Sequence, residues 1–290
     1  MRQLAVNQLG DALAAGGDTF AADEDPELIG SALPFSLKLM ESVLAETPNH
    51  RGMLVAAARG FTQYSYAWVD TPALERDATD PAVRAEHLRA RRLYLRARDY
   101  GLRALEGRIE HFRTKLADDP RLAVSTATKS DVPALYWTAA AWGLAIGGAT
   151  DDAELLADLP AVEALITRAA ELDPDYEAGA IDTFLIRYEA SRASIAKGSE
   201  QRARSHFSRA VAQSHARLAT PYVAAAEALS VPAQNRKEFD EFLNEALAIN
   251  PDAEPRWRLE NILAQRRARW LAAHADDLFA DETNEAGGAR

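Results

Sequence analysis

One spacing recurs along this chain and limits what it can fold into. A bulky apolar residue is followed, after intervals of four and three, by another apolar and a small residue, and five positions later by a proline. Phe239, Leu243, Ala246 and Pro251 show it best, and Val162, Ile166, Ala169 and Pro174 repeat it. Ser36, Met40, Val43 and Pro48 keep a blurred copy, while Ala203, Phe207 and Ala210 keep the front half with His215 where proline would stand. At 3.6 residues per turn the first three positions share one helical face. The small residue lets a neighbouring helix approach, and proline stops the helix because it lacks an N–H and restricts the residue before it.

This is the pattern of the second helix of a tetratricopeptide (TPR) repeat. The terminating positions 174, 215 and 251 lie 41 and 36 residues apart, near the roughly 34 of a TPR unit. Between Pro48 and Pro174 the register is poor: Phe112 and Pro120 form an intermediate copy, but Lys115 occupies the small-residue position. The competing reading is a bundle of ordinary amphipathic helices that end in Asp-Pro or Asn-Pro. The expected fold is therefore all-α, a TPR-like array of helical hairpins in a single compact domain over residues 1–280, with a disordered tail at 281–290.

Composition supports helix, since Ala, Leu and Arg are abundant while Val, Ile and Thr form no alternating runs. A net charge of −11 argues against a general nucleic-acid binder, which needs a basic contact face. No cysteine is present, which removes disulfides, thiolate metal sites and cysteine nucleophiles. The chain opens without the apolar core of a signal peptide, so the expectation is a cytoplasmic protein or a mature one.

The predicted helices run from 2 to 15, from Pro26 towards Pro48 with Asp25 as N-cap, from 52 to 69, and from 81 to 106. A shorter one ends near Pro120, and an irregular connection covers 121–131. Further helices are expected at 132–147, 160–172, 177–196, 199–215, 219–229, 236–249 and 254–278. Segment 132–149 contains no charged residue; a helix apolar all round is buried centrally, and 18 residues sit at the lower limit for a membrane span. Its stripe of Tyr136, Ala140, Gly143 and Gly147 offers either close helix packing or room for a ligand. Helix 84–108 carries Arg89, Arg92, Arg96 and Arg103 on one stripe. Apolar residues occupy two nearly opposite sides of it: Leu88, Leu95 and Leu102 on one, Leu93, Ala97, Tyr100 and Ala104 on the other. Such a helix should be sandwiched, with its arginines in partly buried grooves where they pair with carboxylates or bind an anionic ligand.

Catalytic signatures are missing. The six histidines show no zinc spacing, the acidic clusters lack the pattern of a calcium loop, and no nucleophile elbow, P-loop or dinucleotide fingerprint occurs. The expectation is a protein without catalytic residues, metal or cofactor.

Four stretches together resemble a known family. They are DEDPELIGSALPFSLKLMESVLAETPNHRGMLVAAARGFTQYSYAWV (23–69), RARRLYLRARDYGLRALE (89–106), LYWTAAAWGLAI (135–146) and RLENILAQRRARWLAAHADDLF (258–279). They are similar to the T component of TPR-associated TRAP transporters, the TatT family, across about residues 4 to 279. The resemblance implies a periplasmic, non-catalytic, TPR-like homotrimer that associates with the substrate-binding protein of a tripartite ATP-independent periplasmic transporter. It also implies a pore through the helical protomer and a small organic acid or hydrophobic ligand. Family members often carry a lipid anchor; here the leader and lipobox cysteine would lie upstream of the chain, so membrane contact is expected only through that N-terminal anchor. On this reading Tyr136, Trp137, Trp142 and Gly143 line the lumen, with Tyr64, Tyr66 and Trp68 as further aromatic candidates and Arg92 and Arg96 meeting an acidic headgroup. The alternatives are a generic TPR adaptor for a protein or peptide tail and, in a third class, an α-helical enzyme.

Overall fold

A computed structural model describes residues 17–148, 152–192 and 196–280. The described chain is all-α, as the periodicity requires. The expected helix at 2–15 and the tail at 281–290 lie outside the described residues. Contacts gather into two compact units, Met1–Phe20 with Asp25–Tyr176, and Ala21–Glu24 with Glu177–Arg290.

The first unit is built on five long helices: α1 (Pro26–Glu46), α2 (Arg51–Ser65), α3 (Pro81–Glu106), α6 (Val132–Gly147) and α7 (Leu159–Leu172). Of two short ones, α4 (Phe112–Asp118) is the helix expected to end near Pro120, while α5 (Pro120–Val124) fills part of the stretch expected to be irregular, because Asp119 accepts from the Leu122 N–H and caps a helix that starts at Pro120. Asp25 caps α1 as expected, accepting from the Leu28 N–H at 2.9 Å. α2 packs between α1 and α3, and α3 packs on both α2 and α6. The charge-free α6 is the buried centre, contacting α2, α3 and α7. Its N-terminus is fixed by Asp131, whose Oδ2 accepts from the Thr128 N–H and hydroxyl at 2.9 Å while Oδ1 receives Arg51 at 2.8 Å.

Close helix approach occurs at Gly101 and not at Gly147, one of the two expected glycines. A Cβ on Gly101 of α3 would run into Thr138 of α6, whereas one on Gly147 would meet nothing within 4 Å. The sandwiched position expected of α3 is met, since it packs on both α2 and α6, but Leu88 of the expected apolar sides is not buried. The helix's buried face is Val83, Ala90, Tyr94, Ala97, Gly101, Leu102, Ala104 and Leu105, while Leu88 is 41% exposed. Among the described residues α1 alone is long and apolar enough to cross a membrane. Here it packs on α2, burying Ile29, Leu37, Val43 and Leu44 and leaving Leu28, Phe35 and Leu39 exposed along the opposite stripe.

The second unit comprises α8 (Ala180–Ser191), α9 (Ser199–Gln213), α10 (Thr220–Ala225), α11 (Arg236–Ala248) and α12 (Arg258–Ala273), each packed on the next. The recurring positions are where the spacing puts them: Ala203, Ala210, Phe239, Leu243 and Ala246 are buried here, as are Val162, Ile166 and Ala169 in the first unit. Where proline is missing, α9 ends instead through left-handed His215 and Ala216, with the Ala216 N–H donating to the Val211 carbonyl. This is the usual left-handed helix stop, carried by residues that tolerate it less well than glycine.

Candidate functional site

The helix propensity of α2 does not end it at Ser65; the chain continues through a π-helical turn, Tyr66–Asp70. Such turns insert an extra residue and rotate the residues beyond it, and they concentrate at functional sites. Here the turn brings Trp68 towards α1 and Asp70 towards α3. Asp70 lies 2.8 Å from His87 Nδ1 and accepts from the Tyr94 hydroxyl at 3.0 Å. Burial, then the Asp70 carboxylate, pushes the Tyr94 hydroxyl well above the usual phenol range, with a smaller contribution from Tyr66.

Above α2, between α1 and α3, runs a groove of aromatic rings and arginines. Tyr64 and Trp68 stack at 6.3 Å. The indole Nε1 donates to the Pro26 carbonyl at 3.0 Å, and Gly30 of α1 leaves space for its ring, which a Cβ would strike. From α3, Arg89 donates to the Tyr64 hydroxyl at 3.2 Å and lies 5.9 Å over its ring. Further along, Phe61 stacks on Tyr100 at 5.8 Å, and Arg96 lies 5.4 Å over Phe61. Tyr100 donates to Glu41 of α1 at 2.7 Å, and Arg96 approaches the same carboxylate at 3.6 Å. Burial raises Glu41, but hydrogen bonds from Lys38 and Tyr100 and the Arg96 charge outweigh it and hold the carboxyl below its usual range. Burial and then Glu41 push the Tyr100 hydroxyl up to about 12.

A shallow hollow of about 390 Å³ opens on α3, lined by Arg92, Leu95, Arg96, Asp99, Tyr100 and Arg103. The two expected anion ligands are therefore neighbours with different commitments. Arg96 is tied to Glu41 and Phe61, and Arg92 has no acceptor among the described residues.

The remaining expected residues sit along α6. Trp137 and Trp142 are each only 7% exposed. Tyr136 meets Trp137 edge-on at 4.9 Å and lies 5.3 Å from Tyr176. Arg59 of α2 stands 5.6 Å over Trp137, and Arg98 of α3 stands 5.0 Å over Trp142, whose Nε1 donates to Asp158 at 3.2 Å. The Trp137 Nε1 is buried without a hydrogen-bond acceptor, and Gly143 is half-buried on the same helix. The candidates thus divide into three sets: Tyr64, Tyr66 and Trp68 lie at the end of α2 and on the turn after it, Arg92 and Arg96 line the hollow on α3, and Tyr136, Trp137, Trp142 and Gly143 share α6.

Sequence reasoning placed Arg89 on the arginine stripe and missed Glu41, Arg59, Phe61 and Arg98. Phe61 was detectable, because 61, 64 and 68 share one helical face. Glu41 was not, since it acts from another helix.

The second unit has its own π-helical turn, Ala226–Ser230, after α10. Its Glu227 accepts from Arg187 at 2.6 Å and from Arg267 at 2.9 Å. Burial raises this carboxyl, and the two guanidiniums more than reverse it, leaving it below the usual range.

Helices packed on their sequence neighbours define an all-α helical array. The chain belongs to the TRAP transporter T-component family, whose model matches residues 22–279. It is also similar to an uncharacterized protein of Treponema pallidum (strain Nichols), at 34% identity over 268 residues, 90% of this chain and 83% of that protein.

Proposed function

We propose that this chain is a non-catalytic accessory component that docks the periplasmic substrate-binding protein of a TRAP transport system and holds or passes a small organic or hydrophobic solute. The observation that carries the transport role is the family match across residues 22–279. The solute reading is supported by two ring-and-guanidinium sets, Tyr64–Trp68 with Arg89 and Tyr136–Trp137 with Arg59. Apolar walls with few fixed polar groups suit a small-molecule site. On this proposal the protein works in the periplasm as a TPR-like homotrimer, and its α6 aromatics face the solute path.

A second reading is favoured by one feature. The hollow on α3 is open rather than enclosed, which suits an adaptor that receives a protein or peptide. Light scattering of the protein, alone and with the TRAP substrate-binding protein of the same genome, separates the two. A trimer that gains mass with that protein supports the transport role, and a monomer indifferent to it moves the assignment to the adaptor.

A further inference from the structure

Nearly every guanidinium in the first unit has an acceptor. Arg51 binds Asp131, Arg76 binds Asp80 and Glu86, Arg98 binds Asp99, and Arg103 donates to the Pro48 carbonyl. Two arginines on α3 depart from this. Neither Arg84 nor Arg92 has a side-chain hydrogen bond or ion pair among the described residues, and both are exposed. They stand two i+4 steps apart, about 12 Å along the axis, and the residue midway between them is Leu88, which is 41% exposed.

The carboxylates of α3 are engaged elsewhere and do not serve them. Glu86 is held by Arg76, Asp99 by Arg98, and Glu106 accepts from the Arg113 N–H. Helix α3 carries seven arginines against Glu86, Asp99 and Glu106, on a chain whose net charge is −11. An uncompensated positive ridge on an acidic protein attracts an opposite charge from outside and steers its approach. Beyond Arg92 the ridge continues into the open hollow at Leu95 and Arg96, which gives a partner side chain somewhere to insert.

We infer that the exposed ridge Arg84–Leu88–Arg92 is the docking surface for the substrate-binding protein, and that it receives an acidic, amphipathic element of that partner. The complementary element presents two carboxylates about 12 Å apart, two turns of helix, with an apolar side chain between them. An anionic bilayer is the poorer match, because a chain of net charge −11 is repelled by it as a whole. The inference rests on the docking role proposed above and adds which surface performs it.

The test is affinity for the purified substrate-binding protein, by calorimetry in 50 to 500 mM salt, for wild type and variants of the full chain. Losing two rim charges should weaken binding at low salt by roughly tenfold or more and flatten its salt dependence, so R84E/R92E is expected to behave this way. R84K/R92K should stay close to wild type, and Leu88→Ser should lose affinity without changing the salt slope. Arg121→Glu, at an exposed arginine of α5, is the control and should bind normally. Far-UV circular dichroism establishes that each variant is folded. Unchanged affinity and salt slope in R84E/R92E, with wild type binding, overturns the assignment of this surface and leaves the docking role standing. No binding by wild type at any salt overturns both. Binding of wild type but not R84E/R92E to phosphatidylglycerol vesicles, with salt-insensitive binding to the protein partner, reassigns the ridge to a membrane and also overturns the inference.

Discussion

The two units use the same device, a helix that runs on into a π-helical turn carrying a carboxylate, and surround it differently. In the first unit Asp70 is bound by an imidazole and a phenol; in the second Glu227 is held between two guanidiniums. Their aromatic residues differ in the same sense. Tyr64 and Trp68 stay partly exposed, with Arg89 over Tyr64, whereas Phe207 packs on Tyr222 at 5.4 Å and on Phe242 at 4.8 Å, and Phe239 on Phe279 at 5.1 Å. Similar helical construction therefore does not decide what an aromatic stripe is for. Its exposure separates the two cases: Phe239 and Phe61 are 0% and 3% exposed and belong to cores, whereas Tyr64 and Trp68 keep part of their rings at the surface.

The largest effects should come from the second unit's core. Phe239 is 0% exposed and Phe35 of α1 is 74% exposed. Truncating a fully buried phenylalanine costs about 3–5 kcal/mol, and truncating one on the surface changes stability by under about 0.5 kcal/mol. Urea unfolding of Phe239→Ala and Phe35→Ala should show that contrast. Comparable losses would mean that Phe35 is covered in the protein as it exists in solution.

Next comes the pair of turn carboxylates. Glu227→Gln leaves two guanidiniums facing each other without their common anion; with Arg187 partly exposed, a loss of about 2–3 kcal/mol is expected, below the full cost of an unpaired buried charge. Asp70→Asn keeps a hydrogen-bonding group beside the imidazole and the phenol and should cost only about 1 kcal/mol. Equal losses would erase the distinction between a structural and a permissive turn. Acid should reveal the same difference. Glu227 and Asp131 have folded-state pKa values below their ordinary ones, so their stabilisation is complete above the unfolded-state value of about 4 and is lost as pH falls through the depressed folded value. The urea midpoint should decline below about pH 5, with a shallower decline in Glu227→Gln and Asp131→Asn than in wild type.

The legible part of this fold was whatever depends on spacing within one helix. Phe239, Leu243 and Ala246 are buried because intervals of four and three put them on one face, and proline or capping residues marked most boundaries. Contacts chosen between helices were not legible. Leu88, assigned to a buried side, is 41% exposed while Leu102 of the same side is buried, and no pattern within α3 records that Gly101 meets Thr138 of another helix. The candidate residues were not legible in their grouping: Tyr64 and Trp68 lie at the end of α2 and on the turn after it, Arg92 and Arg96 line a hollow on α3, and Trp137 and Trp142 belong to α6. The partners that decide their chemistry, Glu41, Arg59 and Arg98, come from elsewhere in the chain. Both π-helical turns escaped notice, since their sequences, YAWVD and AEALS, are compatible with ordinary helix.

The smallest expected effect on stability is the most informative about the groove. Arg96 is 48% exposed and stands 3.6 Å from Glu41, so replacing it with Met should cost no more than about 1 kcal/mol, because Tyr100 still donates to Glu41. Arg92→Met removes a cation with no partner to lose and should leave the melting temperature unchanged. If the groove takes a carboxylate solute, both variants should weaken binding of a short-chain fatty acid followed by tryptophan fluorescence, and Arg92→Met should weaken it more, because an uncommitted guanidinium has no internal anion to leave. A marked fall in stability for Arg96→Met, with fatty-acid binding intact, would make Arg96 a helix-to-helix tie like those of the second unit. Retained binding in both variants would leave the α6 aromatics, with Arg59 and Arg98 over Trp137 and Trp142, as the place to look for the solute.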